Sequence, residues 1–359
     1  MLRGVLEVLQ PYEAGKSIDD VSLEGKKPVK LNSNENPYPP PAEVIRAALE
    51  ALKKANRYPD SSYRRLKKKL SDYAGLPMEH VTVGSGASEV LDNICKAVLE
   101  PLDKVVLPVP SYTMHLFLSM IRDVHPVYVE TEDKGFKICA EDILSASQGA
   151  KLIFLCSPNN PTGLTIDREE IMAVVEGTKA MVVVDEAYHE FCGKTVAGSV
   201  QEHENLVVVR SMSKFFALAG LRIGYALASS DIAQSLEKVR LPFGISLPAA
   251  EAAIKALENL KYYESIKKEI LGERERVFQE ISGIEALEVL PSEANFLLVG
   301  LPDTPSVDEI IKALGDNGVF VRDVSKMPGL RKNYLRITIG KREENNRMLS
   351  GLKKLFSSC

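Results

Sequence analysis

Seven short runs rich in valine, isoleucine and leucine punctuate residues 80–230, and they constrain the fold of this 359-residue chain more than any other feature. They cover residues 81–83, 104–108, 127–130, 152–156, 181–185, 206–210 and 222–228. Several are continuous rather than alternating, the pattern of strands buried on both faces. Helical stretches such as 87–99 and 168–176 fall between them. Strand and helix in alternation predict an α/β fold, with a mainly parallel central sheet and helices on both faces.

The pattern changes after Pro242. Residues 251–281 read as one or two long charged helices, followed by short strands at 296–299, 319–322 and 334–339 and a closing helix at 342–356. That order predicts a smaller α+β domain. The expected division is an N-terminal arm (1–29) associated with the small domain, a large α/β domain (30–242) and the small domain (243–359).

Composition removes several classes of function. Net charge is −4, which gives no reason to expect nucleic acid or an anionic membrane as partner. The basic run at 64–69 lies in a predicted helix and reads as a solvated face. The five cysteines, Cys95, Cys139, Cys156, Cys192 and Cys359, contain no C-x-x-C pair, so reduced thiols in a cytoplasmic protein are expected. The five histidines form no metal-binding pair on a helix, and no metal is expected. Residues 1–10 are apolar only in patches and carry Glu7, unlike a secretory signal. No stretch reaches the roughly 18 apolar residues of a membrane span.

Chemistry-bearing residues gather at the ends of the predicted strands, where open α/β sheets place ligands. Lys214 stands in Ser211-Met212-Ser213-Lys214-Phe215-Phe216, among hydroxyls and aromatics rather than other charges. Desolvation there disfavours the ammonium form and makes the amine nucleophilic, although a snorkelling lysine at a strand end is a competing reading. Ser211, Ser213 and Arg222 form a group suited to phosphate. Gly84-Ser85-Gly86-Ala87-Ser88-Glu89 joins a strand to a helix whose free amides also suit phosphate; Glu89 replaces the third glycine of a dinucleotide fingerprint.

Three more segments add to the group. Ser157-Pro158-Asn159-Asn160-Pro161-Thr162-Gly163 is a proline-stiffened turn that aims Asn159 above the sheet, though the same residues make ordinary turns. Asp185, ending a buried strand, requires a cationic partner or caps the next helix; Tyr188 follows it at hydrogen-bonding reach of the same ligand. Tyr112 offers a face to a planar ring, or fills the core.

In order and spacing these motifs resemble the fold-type I pyridoxal-phosphate aminotransferases, over almost the whole chain. The resemblance implies pyridoxal 5'-phosphate as cofactor, with Lys214 forming its Schiff base and acting as proton shuttle. It gives Asp185 the pyridinium nitrogen, Asn159 and Tyr188 the phenolic oxygen, and Tyr112 the ring face. Ala87, Ser88, Ser211, Ser213 and Arg222 would hold the phosphate. Within that family, Pro11-Tyr12-Glu13-Ala14-Gly15-Lys16, Asn32-Ser33-Asn34-Glu35-Asn36-Pro37-Tyr38, Arg57-Tyr58-Pro59-Asp60, Val321-Arg322-Asp323 and Tyr334-Leu335-Arg336-Ile337-Thr338-Ile339-Gly340 look like histidinol-phosphate aminotransferases. That likeness implies a homodimer in which Tyr58 reaches the neighbouring subunit's cofactor phosphate. It places Tyr12, Asn34, Arg322 and Arg336 at a small-molecule amino donor and 2-oxoglutarate. An aromatic amino acid aminotransferase and a threonine-phosphate decarboxylase would share the cofactor residues. A cofactor-binding transcription regulator is disfavoured by the short stretch ahead of Asn32, and a nicotinamide oxidoreductase by Glu89.

Overall fold

The computed structural model describes residues 3–9 and 27–356; Tyr12 and its motif lie outside the described residues. Strand β1 (Val29–Lys30) is followed by the seven strands of a central sheet. These are β2 (Val81–Gly84), β3 (Lys104–Val109), β4 (His125–Glu130), β5 (Ala150–Cys156), β6 (Met181–Asp185), β7 (Leu206–Ser211) and β8 (Gly224–Ala228), ordered β2-β8-β7-β6-β5-β3-β4. Pairing is parallel from β7 through β4, while β8 runs antiparallel to both of its neighbours.

The continuous apolar runs are explained by two cores, one on each face of the sheet. Val106, Ile153, Leu155, Val182, Val184, Leu206 and Val208 belong to one core; the intervening Val105, Leu107, Leu152, Phe154, Val183, Val207 and Val209 belong to the other. A strand's two-residue period sends neighbours to opposite faces, so a doubly covered sheet has no polar side to encode. Each such side chain contributes about 1.5–3 kcal/mol on burial, before conformational entropy is counted. Ile171, Val174 and Val175 of helix Arg168–Gly177 cover the first face; Val90, Leu91 and Ile94 of helix Gly86–Val98 cover the second.

Four further strands form a second sheet, β9 (Glu288–Val289), β10 (Phe296–Gly300), β12 (Arg322–Asp323) and β13 (Tyr334–Thr338), ordered β12-β13-β10-β9. Between them in sequence, β11 (Val319–Phe320) pairs in parallel with β1. The single strand expected at 319–322 is therefore two, in different sheets, separated at the buried Val321. The charged stretch beyond Pro242 forms two helices, Leu247–Leu257 and Leu260–Ser282, the second broken from the first at Glu258 and Asn259. The strand expected to begin at Arg222 begins at Gly224, because Arg222 adopts a left-handed conformation (φ 52°).

Candidate active site

The parallel order of β7, β6, β5 and β3 brings their carboxyl ends to one edge. Cys156 lies opposite Asp185, and antiparallel β8 returns to set Gly224 opposite both Ser211 and Gly84. A cavity of about 390 Å³ opens at this edge, lined by the loops that follow these strands and by β12 and β13. Ala87, Ser88, Tyr112, Asp185, Tyr188, Ser211, Ser213, Lys214, Arg222, Asn34, Arg322 and Arg336 all line it.

Lys214 is placed by its neighbours. Met212, Phe215 and Phe216 are buried and do not line the cavity, whereas Lys214 lines it together with Ser211 and Ser213. Its Nζ donates to the Ser33 carbonyl at 2.9 Å. Burial first, and the Arg336 guanidinium second, pull the amine down to about 7. Between that value and the ordinary 10.5, the unfolded chain keeps a proton that the folded chain has lost. Stability therefore rises with pH across the window, and the full cost of the buried charge is felt below it. The ligand-free protein should show an unfolding free energy that climbs with pH above neutrality more steeply than that of Lys214→Met. The excess slope is at most about 1.4 kcal/mol per pH unit. Equal slopes in denaturant titrations would remove this amine as the source.

Asp185 is 2% exposed at the end of β6. Its Oδ1 accepts from the Ala187 N–H at 3.0 Å, and its Oδ2 lies 3.0 Å from His115 Nε2. His115, fully buried, stacks on Phe154 with ring centroids 4.7 Å apart, and Tyr112 meets it edge-on. Sequence reasoning missed His115; the available signal was a single titratable residue inside the largely apolar helix Thr113–Met120. Tyr188 is buried, and burial pushes its phenol upward, against the weaker pull of Arg336 and Asn34. Asn34 donates from Nδ2 to the Tyr188 hydroxyl at 2.9 Å, so its amide supports that ring from behind.

One placement departs from expectation. Asn159 does not line the cavity; its Nδ2 donates to the Pro110 carbonyl at 2.9 Å and to Thr162 Oγ1 at 3.1 Å. Its backbone also closes the turn, donating to Leu164 and accepting from Gly163, both at 2.7 Å. The adjacent Asn160 takes the cavity wall instead, and its Oδ1 accepts from Arg336 at 2.7 Å.

The opposite end of the cavity is built for close approach. Gly86 has φ +79°, and a Cβ there would stand 2.3 Å from the Arg222 guanidinium. A Cβ on Gly224 would stand 2.2 Å from the Ala87 nitrogen. Only glycine lets β8 press against this turn. Arg222 reaches Ser213 Oγ at 3.3 Å, and the Ser213 N–H donates to Ser211 Oγ at 3.1 Å. Hydroxyls, a guanidinium and the first amides of helix Gly86–Val98 thus converge, the donor set of a phosphate site.

Arg322 and Arg336 occupy facing register positions on β12 and β13. Like charges in that relation repel, and an anion between them reverses the sign. Arg336 also donates to the Asn32 carbonyl at 2.7 Å and lies 5.7 Å from the Phe296 ring centroid. Tyr58 does not line the cavity: it is 81% exposed and stacks on Phe243 at 4.5 Å. Among the described residues no group of three or more acidic, histidine or cysteine side chains could hold a metal ion, and no helix is long and apolar enough to cross a membrane.

Residues 26–352 match the family model for class I and II aminotransferases, and the chain belongs to that family. Among its relatives, a protein of Archaeoglobus fulgidus named histidinol-phosphate aminotransferase 2 is 45% identical, covering 99% of this chain and all of the relative. The histidinol-phosphate aminotransferase of Thermoanaerobacter pseudethanolicus is 38% identical, covering 91% of this chain and 93% of its own. The solved structure of the Sinorhizobium meliloti histidinol-phosphate aminotransferase in complex with pyridoxal-5'-phosphate superposes with a TM-score of 0.89 at 25% identity, covering 99% of this chain and 98% of that one.

Proposed function

We propose that this protein is a histidinol-phosphate aminotransferase. It exchanges the amino group of L-histidinol phosphate with 2-oxoglutarate, giving imidazole acetol phosphate and glutamate in histidine biosynthesis. The observation that carries this reading is the facing pair Arg322 and Arg336 on the same cavity as Lys214. The donor ends in a phosphate ester and the acceptor in a carboxylate, and two guanidinium forks pair with either anion.

The cavity fits pyridoxal 5'-phosphate on two structural grounds: the glycine-lined cradle beside Arg222, and the buried carboxylate of Asp185 at the other end. When bound, the cofactor supplies an electron sink for the substrate's Cα. Ala87, Ser88, Ser211, Ser213 and Arg222 would hold its phosphate, Tyr112 would cover the ring, and Asp185 would serve the ring nitrogen. Tyr188 would serve the phenolic oxygen, with Asn160, which lines the cavity, in the role first expected of Asn159. Lys214, with an amine near 7, would anchor the cofactor and is placed as the general base for the proton on the substrate's Cα. Asn34 holds Tyr188 in place.

The same reading makes the protein a homodimer with Tyr58 in the neighbouring subunit's site. The support is that Tyr58 and Phe243 project together from the surface while absent from their own cavity. Light scattering at twice the chain mass is expected, and a monomer would refute this part. The division into a large domain (30–242), a small domain (243–359) and an arm (1–29) is likewise proposed; β1 pairing with β11 supports the arm's link to the small domain. The reaction itself is tested by following glutamate released from 2-oxoglutarate with histidinol phosphate as donor.

A further inference from the structure

The loop between β12 and β13 does more than connect two strands. Its base is fastened by the Val324 N–H donating to the Tyr334 carbonyl at 3.1 Å and by Ser325 capped on Asp323 Oδ1 at 2.8 Å. From there it leaves its own sheet and lies across to the rim of the central sheet, at the ends of β3 and β4. Gly329, at φ +83°, presses so closely on Val109 that a Cβ would meet the Val109 carbonyl carbon at 2.6 Å. Val109 immediately precedes Pro110-Ser111-Tyr112, a wall of the site. Met327, from the same loop, lines the cavity with Arg322.

Arg331 makes the ion pairs that tie this strap to the end of β4 and the turn after it, beside the Tyr334 hydroxyl donating to Glu132 Oε1 at 3.0 Å. Arg331 donates from its backbone N–H to Glu132 Oε2 at 2.8 Å and from Nη1 to Asp133 Oδ2 at 2.6 Å, and its Nη2 pairs with Glu130. All three acids belong to the end of β4 and the turn after it. Beneath lies a small apolar cluster, with Phe136, Leu298, Val324 and Tyr334 at its centre and the strap's Met327 and Leu330 packed against it, separate from both main cores. The Arg331 side chain is 57% exposed, and its partners Glu130 and Asp133 are 58% and 70% exposed. Exposed pairs of this kind are individually weak and are screened by salt. A strap fastened this way releases without unfolding either core.

We propose that Arg331 is a positioning residue: it latches the 324–333 strap over the cavity mouth and so holds Arg322 and Met327 against the bound anion. The proposal rests on the reading of Arg322 and Arg336 as the anion site. Opening the strap withdraws one side of that site and leaves Lys214 and the phosphate cradle untouched. The loss therefore falls on substrate binding rather than on the chemical step.

The test uses the cofactor-loaded full chain and its Arg331→Ala and Arg331→Lys variants. Arg331→Ala should raise KM for histidinol phosphate roughly 3- to 10-fold, with kcat held within about twofold, and Arg331→Lys should recover much of the loss. Raising ionic strength should increase KM more in the wild type than in Arg331→Ala, because the variant keeps only the backbone hydrogen bond to Glu132 and has no ion pair at this residue left to screen. Hydrogen exchange at amides 326–332 should be faster in Arg331→Ala, with exchange in β5 and β6 unchanged. That measurement needs no substrate, so it reads the latch even if histidinol phosphate proves to be the wrong donor. Unchanged exchange in the strap, or a fall in kcat at constant KM, would overturn the proposal.

Discussion

Lys214→Ala is expected to abolish turnover, with a loss on the order of 10⁴-fold or more. The size follows from the number of tasks placed on one amine. It lines the cavity beside Ser213, between buried Met212 and buried Phe215, and is the amine of that loop. Burial and Arg336 bring it near 7, so a large fraction is free base at neutral pH, ready both to attack an aldehyde and to accept a proton. Alanine removes anchor and base together, and among the described residues no other lysine lines the cavity to replace them. Borohydride reduction followed by mass analysis should add the cofactor's mass to wild type and not to the variant. Full activity in Lys214→Ala would remove the residue from the mechanism.

Asp185→Asn is expected to retain cofactor and fold while losing on the order of 10²- to 10³-fold in kcat. Asparagine keeps an oxygen for the Ala187 N–H and a polar atom toward His115, so the local packing survives. The negative charge does not survive, and a pyridine nitrogen holds its proton only beside an anion. The effect should therefore appear in kcat, with KM little changed and the melting temperature close to wild type. A rate within about twofold of wild type would show that this carboxylate does not face the ring nitrogen.

Both predictions were legible in the sequence because Asp185 ends one strand and Lys214 lies just beyond the end of another. A run such as Met181-Val182-Val183-Val184-Asp185 is apolar for as long as it lies between two helix layers, and its first acid marks where the sheet stops being covered. The same logic located Ser211, Lys214 and Tyr112. Choices made by turn geometry were not legible. Two adjacent asparagines, Asn159 and Asn160, are chemically identical, and only the closed turn from Asn159 to Leu164 decides which faces the cavity. His115 was hidden because its partner Asp185 is 70 residues away along the chain. Arg331 carried no local signal, since its acidic partners lie near residue 130 in a different sheet. The split of residues 319–323 between two sheets escaped for a related reason: strand pairing is a property of partners, and β1 is only two residues long.

The central claim, that this cavity transaminates a phosphate-bearing amino donor, is tested most directly by initial rates of glutamate formation from 2-oxoglutarate with three donors. Those donors are histidinol phosphate, phenylalanine and threonine phosphate. The account predicts that kcat/KM for histidinol phosphate exceeds that for phenylalanine by at least about 10²-fold, because phenylalanine offers the facing guanidiniums a monoanionic carboxylate in place of a phosphate dianion. It also predicts that threonine phosphate releases no carbon dioxide. Equal or faster turnover of phenylalanine, or decarboxylation of threonine phosphate without glutamate, would contradict it.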